Sequence, residues 1–197
     1  MAKRMSAENR KAKIISAVLA LADEIGPDRL TTNDVAHRVG ITQPAIFRHF
    51  PTKADLWLAV AADVSARLHA EWEAVAAAQP DPQARLRALV EAQFRVIHAS
   101  PALPLILHSR ELNVENPGLR DAVQGVMHAY QAHLVATLSA LRDVGALRAD
   151  LPVEDAAVLL ISLVQGMAIR WSLGGRRVDL LPEGMRLFDQ QLRLFAA

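Results

Sequence analysis

The segment from Leu30 to Lys53 carries the side chains best suited to bind another molecule, and that chemistry is hydrogen bonding to nucleic acid. Gln43 has an amide that can pair with both polar atoms of an adenine edge, and threonine, proline and alanine side chains can touch a thymine methyl group. Arg48 and His49 can meet phosphate oxygens, as can Lys53. These residue types predict a surface that contacts duplex DNA.

Two short helices joined by a tight turn are expected to position these side chains. Thr31 or Thr32 caps the first helix, and Thr31 and Asp34 have capping-box spacing, with Asp in place of the usual Glu or Gln. Gly40 permits the left-handed conformation that ends a helix. Thr42 then caps the second helix. The spacing predicts a helix-turn-helix.

A helix-turn-helix meets base edges with the N-terminal residues of its second helix. Pro44 fits the first turn of that helix, where a missing N–H costs little. Ile46 and Phe50, four residues apart, face inward. The predicted DNA-contacting residues are Thr31, Thr32, Arg38, Thr42, Gln43, Pro44, Ala45, Phe47, Arg48, His49 and Lys53. The alternative is a plain helical hairpin with solvated charges, because short motifs match by chance.

Together with the helix before it, this segment resembles the DNA-binding domain of the tetracycline-repressor (TetR/AcrR) family of bacterial transcription regulators. The resemblance rests on Ile14–Ile15 and Ala22, then LTTNDVAHRVG, then ITQPAIFRHFPTKADL. It covers about the first quarter of the chain. In this family position 47 is usually Tyr, whose hydroxyl commonly reaches the DNA backbone; Phe47 keeps the ring and lacks that hydrogen bond.

Charge is unevenly distributed along the 197 residues, although the net charge is only +1. Residues 1–53 contain nine Lys/Arg and five Asp/Glu, a balance of +4, and the remainder carries −3. A basic end on an acidic body is the pattern expected of a protein that meets phosphate at one end. Chance variation in a short segment is the alternative.

Other functional classes find little support in the sequence. There is no Cys, hence no disulfide, and no HExxH, GxSxG or Gly-rich phosphate loop, so we expect no enzyme, cofactor or metal site.

The polar, basic N-terminus is not a secretory signal, and residues 1–8 are expected to form a flexible arm. The apolar run at residues 156–169 is too short to span a bilayer and is interrupted by Gln165. A cytoplasmic protein is expected.

Apolar residues recur with helical period along the whole chain, and no stretch alternates with period two for long. About nine helices are predicted, near residues 9–25, 32–39, 42–50, 53–78, 83–100, 103–112, 117–144, 153–173 and 182–195. The expected fold is all-α. By the resemblance, residues 1–55 form a three-helix helix-turn-helix DNA-binding domain and residues 56–197 form a helical ligand-binding and dimerisation domain.

The last two helices carry more apolar surface than one chain needs to cover. A helix that is apolar on all sides must be covered on all sides, and residues 158–171 nearly meet that description. We therefore expect a two-fold homodimer built on a four-helix bundle, which the resemblance also implies. The predicted interface residues are Leu159, Ser162, Gly166, Phe188, Leu192 and Phe195. The alternative is that all of this surface is intrachain core.

Family members usually have a small-molecule pocket in the body, and polar residues here interrupt otherwise apolar faces. The predicted pocket residues are Phe94, His98, His108, Gln124, His128, Gln131 and Gln165. With 5% aromatic residues, an aliphatic or acyl-type cavity is favoured over an aromatic cage. For each polar residue taken singly, the alternative is a solvated or internally satisfied side chain.

The leading hypothesis is a ligand-responsive dimeric repressor, released from a double-stranded operator when a largely apolar effector binds. A second hypothesis keeps the DNA-binding end and makes the body a protein-interaction platform, as in family members that couple chromosome position to cell division. Residues 99–118 would then be an exposed partner surface. A third, an all-helical enzyme or carrier, has no catalytic set of residues to support it.

Overall fold

The computed structural model describes residues 6–197, and helices account for most of that range. One isolated β-bridge joins Leu147 and Ala196. The prediction of an all-α fold is confirmed, with ten helices among the described residues where about nine were expected. They are α1 (Ala7–Ile25), α2 (Thr32–Val39), α3 (Gln43–Phe47), α4 (Lys53–Ala78), α5 (Pro82–Ala99), α6 (Ala102–His108), α7 (Arg110–Glu115), α8 (Pro117–Asp143), α9 (Val153–Leu173) and α10 (Leu180–Phe195).

Helix α1 begins two residues earlier than expected. The Ser6 hydroxyl accepts a hydrogen bond from the Asn9 backbone N–H at 3.2 Å and caps the helix. Residues 7 and 8, expected in a flexible arm, are therefore helical, and residues 1–5 lie outside the described range. Ile14 and Val18 are fully buried, whereas Ile25, at the end of the helix, is 40% exposed.

The turn between α2 and α3 forms as its residues predict. Thr31 and Asp34 make a reciprocal capping box, in which each side chain accepts a hydrogen bond from the other's backbone N–H at 3.2 and 3.0 Å. Gly40 has φ 75° and ψ 40°, the left-handed conformation that glycine adopts at little cost. Thr42 occupies the N-cap position of α3, but its side chain makes no capping bond.

The chain forms two compact units. The first contains the chain up to Ser65 together with Pro101–Gln124, and the second contains Ala66–Ser100 and Gly125–Ala197. Helices α4 and α8 each contribute residues to both. The boundary between residues 55 and 56 remains a prediction.

In the first unit α1 packs against α2 and α6, so α6 and α7 belong to the same compact unit as the helix-turn-helix. One short helix was expected where α6 and α7 lie. The break comes at Ser109, whose backbone is extended and whose hydroxyl accepts the Leu112 N–H at 3.0 Å, capping α7. The same hydroxyl donates to Asp28 in the α1–α2 loop. A buried serine thus ties the helix break to the helix-turn-helix region.

In the second unit α9 and α10 pack against each other and against α5. The Phe94 ring of α5 lies directly against Gly184 of α10, where a β-carbon would come within 2.5 Å of it. Among the described helices α9 alone is long and apolar enough, by length and composition, to cross a membrane, with a mean hydropathy of 1.6. Core helices of soluble proteins meet the same criterion.

Candidate functional site

Helix α3 exposes the face that was predicted to meet DNA. Ile46 is fully buried and Phe50 is 5% exposed, and these two side chains fix the helix on the core of the first unit. Thr42, Gln43, Pro44 and Arg48 are exposed, Phe47 is 39% exposed, and Ala45 and His49 are half-buried. The structure therefore offers this row of side chains to a partner.

Gln43 and Thr32 meet at the N-termini of the two helix-turn-helix helices. The Gln43 amide nitrogen donates a hydrogen bond to the Thr32 hydroxyl at 2.8 Å, and Thr32 is 7% exposed. Thr32 is thus positioned to hold the Gln43 side chain rather than to reach DNA itself. The amide oxygen of Gln43 and its second N–H remain available, and a base edge needs one donor and one acceptor from such a side chain.

Arg38, predicted to contact DNA, has a partner within the chain. Its guanidinium makes two hydrogen bonds to the Glu24 carboxylate, one of 2.9 Å from Nη1 to Oε1 and a second from Nη2 to Oε2. These bonds hold the pKa of Glu24 below its usual value and raise the pKa of Arg38. The pair is exposed, so an approaching phosphate would compete with Glu24 for the guanidinium.

A concave surface of about 490 Å³ lies between the start of α1 and helix α3. Its cationic members are Arg10 and Arg48, with His49 beside them. The lining is completed by Ser6, Ala7, Ile41 and Ala45. Positive charge in a concavity suits a phosphate backbone. Arg10 was not predicted as a site residue, although it belongs to the basic N-terminal segment that the sequence marks out.

Lys53, the last predicted DNA contact, is exposed in the first turn of α4. The backbone N–H groups at this helix start are partly occupied, because Thr52 and Asp55 form a second capping box with bonds of 2.9 and 3.0 Å. The Asp55 carboxylate therefore already stabilises the positive end of the helix. Any phosphate contact here depends on the Lys53 ammonium group more than on the helix terminus.

The sequence matches two family models. The model of bacterial regulatory proteins of the tetR family matches residues 14–60, and the model of the C-terminal region of BetI-type transcriptional repressors matches residues 82–191, more than half of the chain. The chain belongs to the TetR family. This TetR-family protein is therefore a DNA-binding transcription regulator, and its predicted family and helix-turn-helix are confirmed.

Similar proteins include the nucleoid occlusion factor SlmA of Vibrio vulnificus, 25% identical over 127 residues. That match covers 64% of this chain and 65% of SlmA, so the chain spans just under two thirds of that relative's length. A TetR transcription regulator from Haloarcula marismortui superposes with a TM-score of 0.82 at 19% identity, over 96% of this chain and 100% of the other. The regulator FadR from Bacillus subtilis, solved in complex with stearoyl-CoA, superposes with a TM-score of 0.75 at 18% identity, over 94% of this chain and 97% of the other.

The predicted pocket residues of this TetR-family regulator are divided between the two units. His108 and Gln124 belong to the first unit, and the other five belong to the second. His108, Gln124 and His128 are exposed, and Gln131 is half-buried. Phe94 is fully buried, with its ring against Gly184. The pocket assignment stays a prediction.

His98 and Gln165 have specific partners in the second unit. The exposed His98 ring contacts Trp171, with ring centroids 5.6 Å apart, and lines a surface hollow of about 220 Å³ with Arg95, Asp179, Leu181 and Pro182. The Gln165 amide nitrogen donates to the Met127 sulfur at 3.2 Å, and a thioether is a weak acceptor. This hydrogen bond of Gln165 is therefore a weak one.

A buried polar cluster in the second unit was missed by the sequence analysis. The Trp72 indole N–H donates to the Gln93 side-chain oxygen at 3.2 Å, and Gln93 is 7% exposed. The Tyr130 ring stacks on Trp72, with centroids 5.1 Å apart. Tyr130 lies at a core position of α8, and the apolar spacing of the residues around it does not indicate that its hydroxyl lacks a hydrogen-bond partner.

The predicted dimer residues differ in what they expose. Leu159 is 46% exposed and Ser162 and Gly166 are exposed, so one face of α9 is open. Phe188 and Phe195 are 0% and 3% exposed, already covered within the chain, so they offer little surface to a second copy. Of the predicted interface residues, those on the exposed face of α9 and the half-buried Leu192 keep surface that a second copy could contact.

No metal site is indicated by the side chains that the structure describes. Within residues 6–197 there is no group of three or more potential metal ligands.

Proposed function

We propose that this protein is a cytoplasmic, homodimeric repressor that leaves its operator when a small, largely apolar effector binds in the body. The observation that carries the proposal is helix α3, which is fixed to the core by Ile46 and Phe50 and presents Gln43, Phe47 and Arg48 outward. A recognition helix needs one buried face and one polar face of this kind. We infer no catalytic role.

On DNA, these residues have two roles: some recognise the base sequence, and others bind the sugar-phosphate backbone. Gln43 stays oriented by Thr32 and meets a base edge with its free amide groups. Arg48, Lys53 and Arg10 bind phosphates, and Phe47 packs on sugar or a thymine methyl. Phosphate contacts set the position of the protein along the duplex, and base contacts set its preference for a sequence.

The dimer is proposed to form on the exposed face of α9. Val158 and Leu159 are 49% and 46% exposed, and Ser162 and Gly166 continue the same face one and two turns later. Small residues at these positions let a partner helix approach closely. Two recognition helices then meet two half-sites about one turn of DNA apart, or a multiple of that distance.

The effector is proposed to act through α4, which runs without interruption from Lys53 to Ala78. Trp72 on this helix belongs to the second unit, and Lys53 belongs to the first. An effector that favours one position of α4 would therefore change the presentation of the DNA-contacting residues. Such a change requires that the effector bind the two conformations with different affinity. FadR of Bacillus subtilis, with the same fold, was solved in complex with stearoyl-CoA, and the long acyl chain of that ligand supports an effector that is largely apolar.

The test begins with recovery of the genomic fragments that the purified protein retains, because the neighbouring genes hint at the effector. On a retained operator, Gln43→Ala is expected to relax the preference at one base step by about 1–3 kcal/mol. Lys53→Ala is expected to weaken all sequences alike and to reduce the slope of log affinity against log salt by about 1. Both are measured by fluorescence anisotropy on matched and mismatched duplexes. If both variants bind the specific operator like the wild type, the assignment of α3 and Lys53 to the DNA interface is wrong.

A second candidate function has one observation in its favour, the likeness to the nucleoid occlusion factor SlmA. In that case the body would bind a protein, and residues 99–118 would be the partner surface. Val114, 64% exposed on α7, would belong to it. Retention of many scattered genomic sites, with no small molecule changing DNA affinity, would favour this candidate over the repressor.

A further inference from the structure

The hydroxyl of Tyr130 is an unpaired polar group inside the second unit. Among buried side-chain nitrogens and oxygens of residues 6–197, only Trp57 Nε1 and the Tyr130 hydroxyl have no hydrogen-bond partner. Tyr130 is 2% exposed. Leaving such a group unsatisfied destabilises the folded chain, so an unpaired buried hydroxyl requires a physical explanation.

Other buried polar groups of the same unit have hydrogen-bond partners. The indole N–H of Trp72, whose ring stacks on Tyr130, donates to the Gln93 side-chain oxygen. Further along α8, the buried Thr137 hydroxyl donates to the His133 carbonyl at 2.8 Å. The Trp72 indole and the Thr137 hydroxyl thus have partners, whereas the Tyr130 hydroxyl has none.

The state of the hydroxyl determines what it can bind. Burial raises the pKa of Tyr130 above its ordinary value, so the group stays protonated and acts as a hydrogen-bond donor at neutral pH. No Lys or Arg is buried among residues 6–197, so the interior has no cation to balance a negative charge. A charged ligand would pay a large desolvation cost there. A neutral acceptor oxygen would not.

A second polar group, the Gln165 amide of α9, bonds to a residue that lies one turn before Tyr130 on α8. Met127 is three residues before Tyr130, and residues three apart share a helix face. The Gln165 amide that donates to the Met127 sulfur could exchange this weak acceptor for a better one at little cost. Trp57, the other unpaired donor, lies in the core of the first unit, on which the DNA-contacting helices are built.

We propose that the Tyr130 hydroxyl is the hydrogen-bond donor that binds the effector, and that the effector is an uncharged, mostly apolar molecule carrying a carbonyl-type oxygen. The assignment rests on the proposed function only in taking the bound molecule to be the effector. Because the hydroxyl is enclosed, side chains around Tyr130 must move when a molecule binds it, and Trp72 stacks on the Tyr130 ring. Trp72 lies on α4, so binding moves the helix that carries Lys53 at its other end.

The first test compares stability without any ligand. Tyr130→Phe removes only the unpaired hydroxyl and is expected to raise Tm by about 2 to 4 °C, the shift for roughly 1 kcal/mol in a chain of this size. The matched control is Thr137→Val, which removes a buried hydroxyl that is hydrogen-bonded and should lower Tm. A fall in Tm for Tyr130→Phe would mean that its hydroxyl already has a partner, and the assignment would fail.

The second test uses 2-nonanone and nonanoate, which have the same chain length and differ in charge. Quenching of tryptophan fluorescence is expected to report 2-nonanone binding to the wild type and to Thr137→Val. Binding to Tyr130→Phe should be about three- to tenfold weaker, the loss of one net hydrogen bond. Equal binding to wild type and Tyr130→Phe, no binding of 2-nonanone to the wild type, or Tyr130-dependent binding of nonanoate in its place would each overturn the proposal.

Failure of this proposal is distinguishable from failure of the proposed function. Operator retention by the wild type is measured in parallel, without any small molecule. A protein that retains no duplex but binds 2-nonanone through Tyr130 contradicts the repressor function and leaves the site intact. A protein that retains its operator but binds 2-nonanone equally well without the hydroxyl contradicts the site and leaves the repressor function intact.

Discussion

At the scale of single residues, Arg38 has a partner within the chain, Glu24, at a position where a DNA contact was predicted. Arg38 belongs to α2 and was predicted to meet phosphate, yet its guanidinium is held by the Glu24 carboxylate of α1. A glutamate is charged at neutral pH, and these bonds lower the pKa of Glu24 further, so the stabilisation from the pair is present there. It is lost only as pH falls through that lowered pKa.

Replacing Glu24 by Gln is expected to raise DNA affinity about two- to threefold at low salt. The change removes a negative charge near the duplex and frees Arg38 for one more phosphate contact, so the salt slope should steepen by about 1. Fluorescence anisotropy over a salt series measures both. Glu183→Gln is the matched control, since Glu183 likewise pairs with an arginine, Arg186, and its loss changes net charge equally. Equal gains in the two variants would mean that only net charge matters.

At the scale of helices, the packing of α5 against α10 depends on a single missing β-carbon. Three atoms of the buried Phe94 ring lie 2.5 to 2.9 Å from where the β-carbon of an alanine at Gly184 would be. Atoms do not approach so closely, and an aromatic ring enclosed by core residues has little room to move. The glycine therefore sets the separation of these two helices.

Gly184→Ala is expected to lower the free energy of unfolding by about 1–3 kcal/mol, since overpacking a filled core forces side chains and backbone apart. Gly125→Ala is the matched control, because Gly125 is also helical and a β-carbon there meets nothing within 4 Å. That variant should be unchanged or up to about 1 kcal/mol more stable from helix propensity. Urea unfolding followed by circular dichroism measures both. A stable Gly184→Ala protein would mean that α10 can shift without cost.

At the scale of the whole molecule, operator binding is expected to require two chains joined at the exposed face of α9. Leu159→Asp places a charge in the proposed seam, where it would be buried without a partner. We expect a monomer by light scattering at micromolar concentration, unchanged helix content, and operator affinity reduced at least tenfold.

Val144→Asp is the matched control for the dimer prediction. Val144 is also an exposed apolar residue of the second unit, 70% exposed, but it lies just past the end of α8 and not on the proposed seam. The Val144→Asp variant should have the same mass in solution and the same DNA affinity as the wild type. A wild-type chain that is monomeric at these concentrations, or a dimeric Leu159→Asp, would contradict the assignment of this face.

The amino-acid sequence alone determined the features that depend on neighbours a few residues away. The capping box of Thr31 and Asp34, the left-handed Gly40 and most helix bounds follow from side chains and backbone groups that meet within one or two turns. The family also follows from the sequence, because its motif is a contiguous run of residues. Local geometry is nearly the same in any fold that contains these segments, so it can be predicted without tertiary structure.

Tertiary structure alone decided which side chains are free. Arg38 meets a glutamate fourteen residues away, and Phe188, predicted at a dimer seam, is covered within its own chain. Tyr130 has the apolar spacing of any core residue, and only the surrounding helices leave its hydroxyl without a partner. Helical periodicity tells which face is buried, but not what covers it, because that depends on contacts between segments distant in sequence.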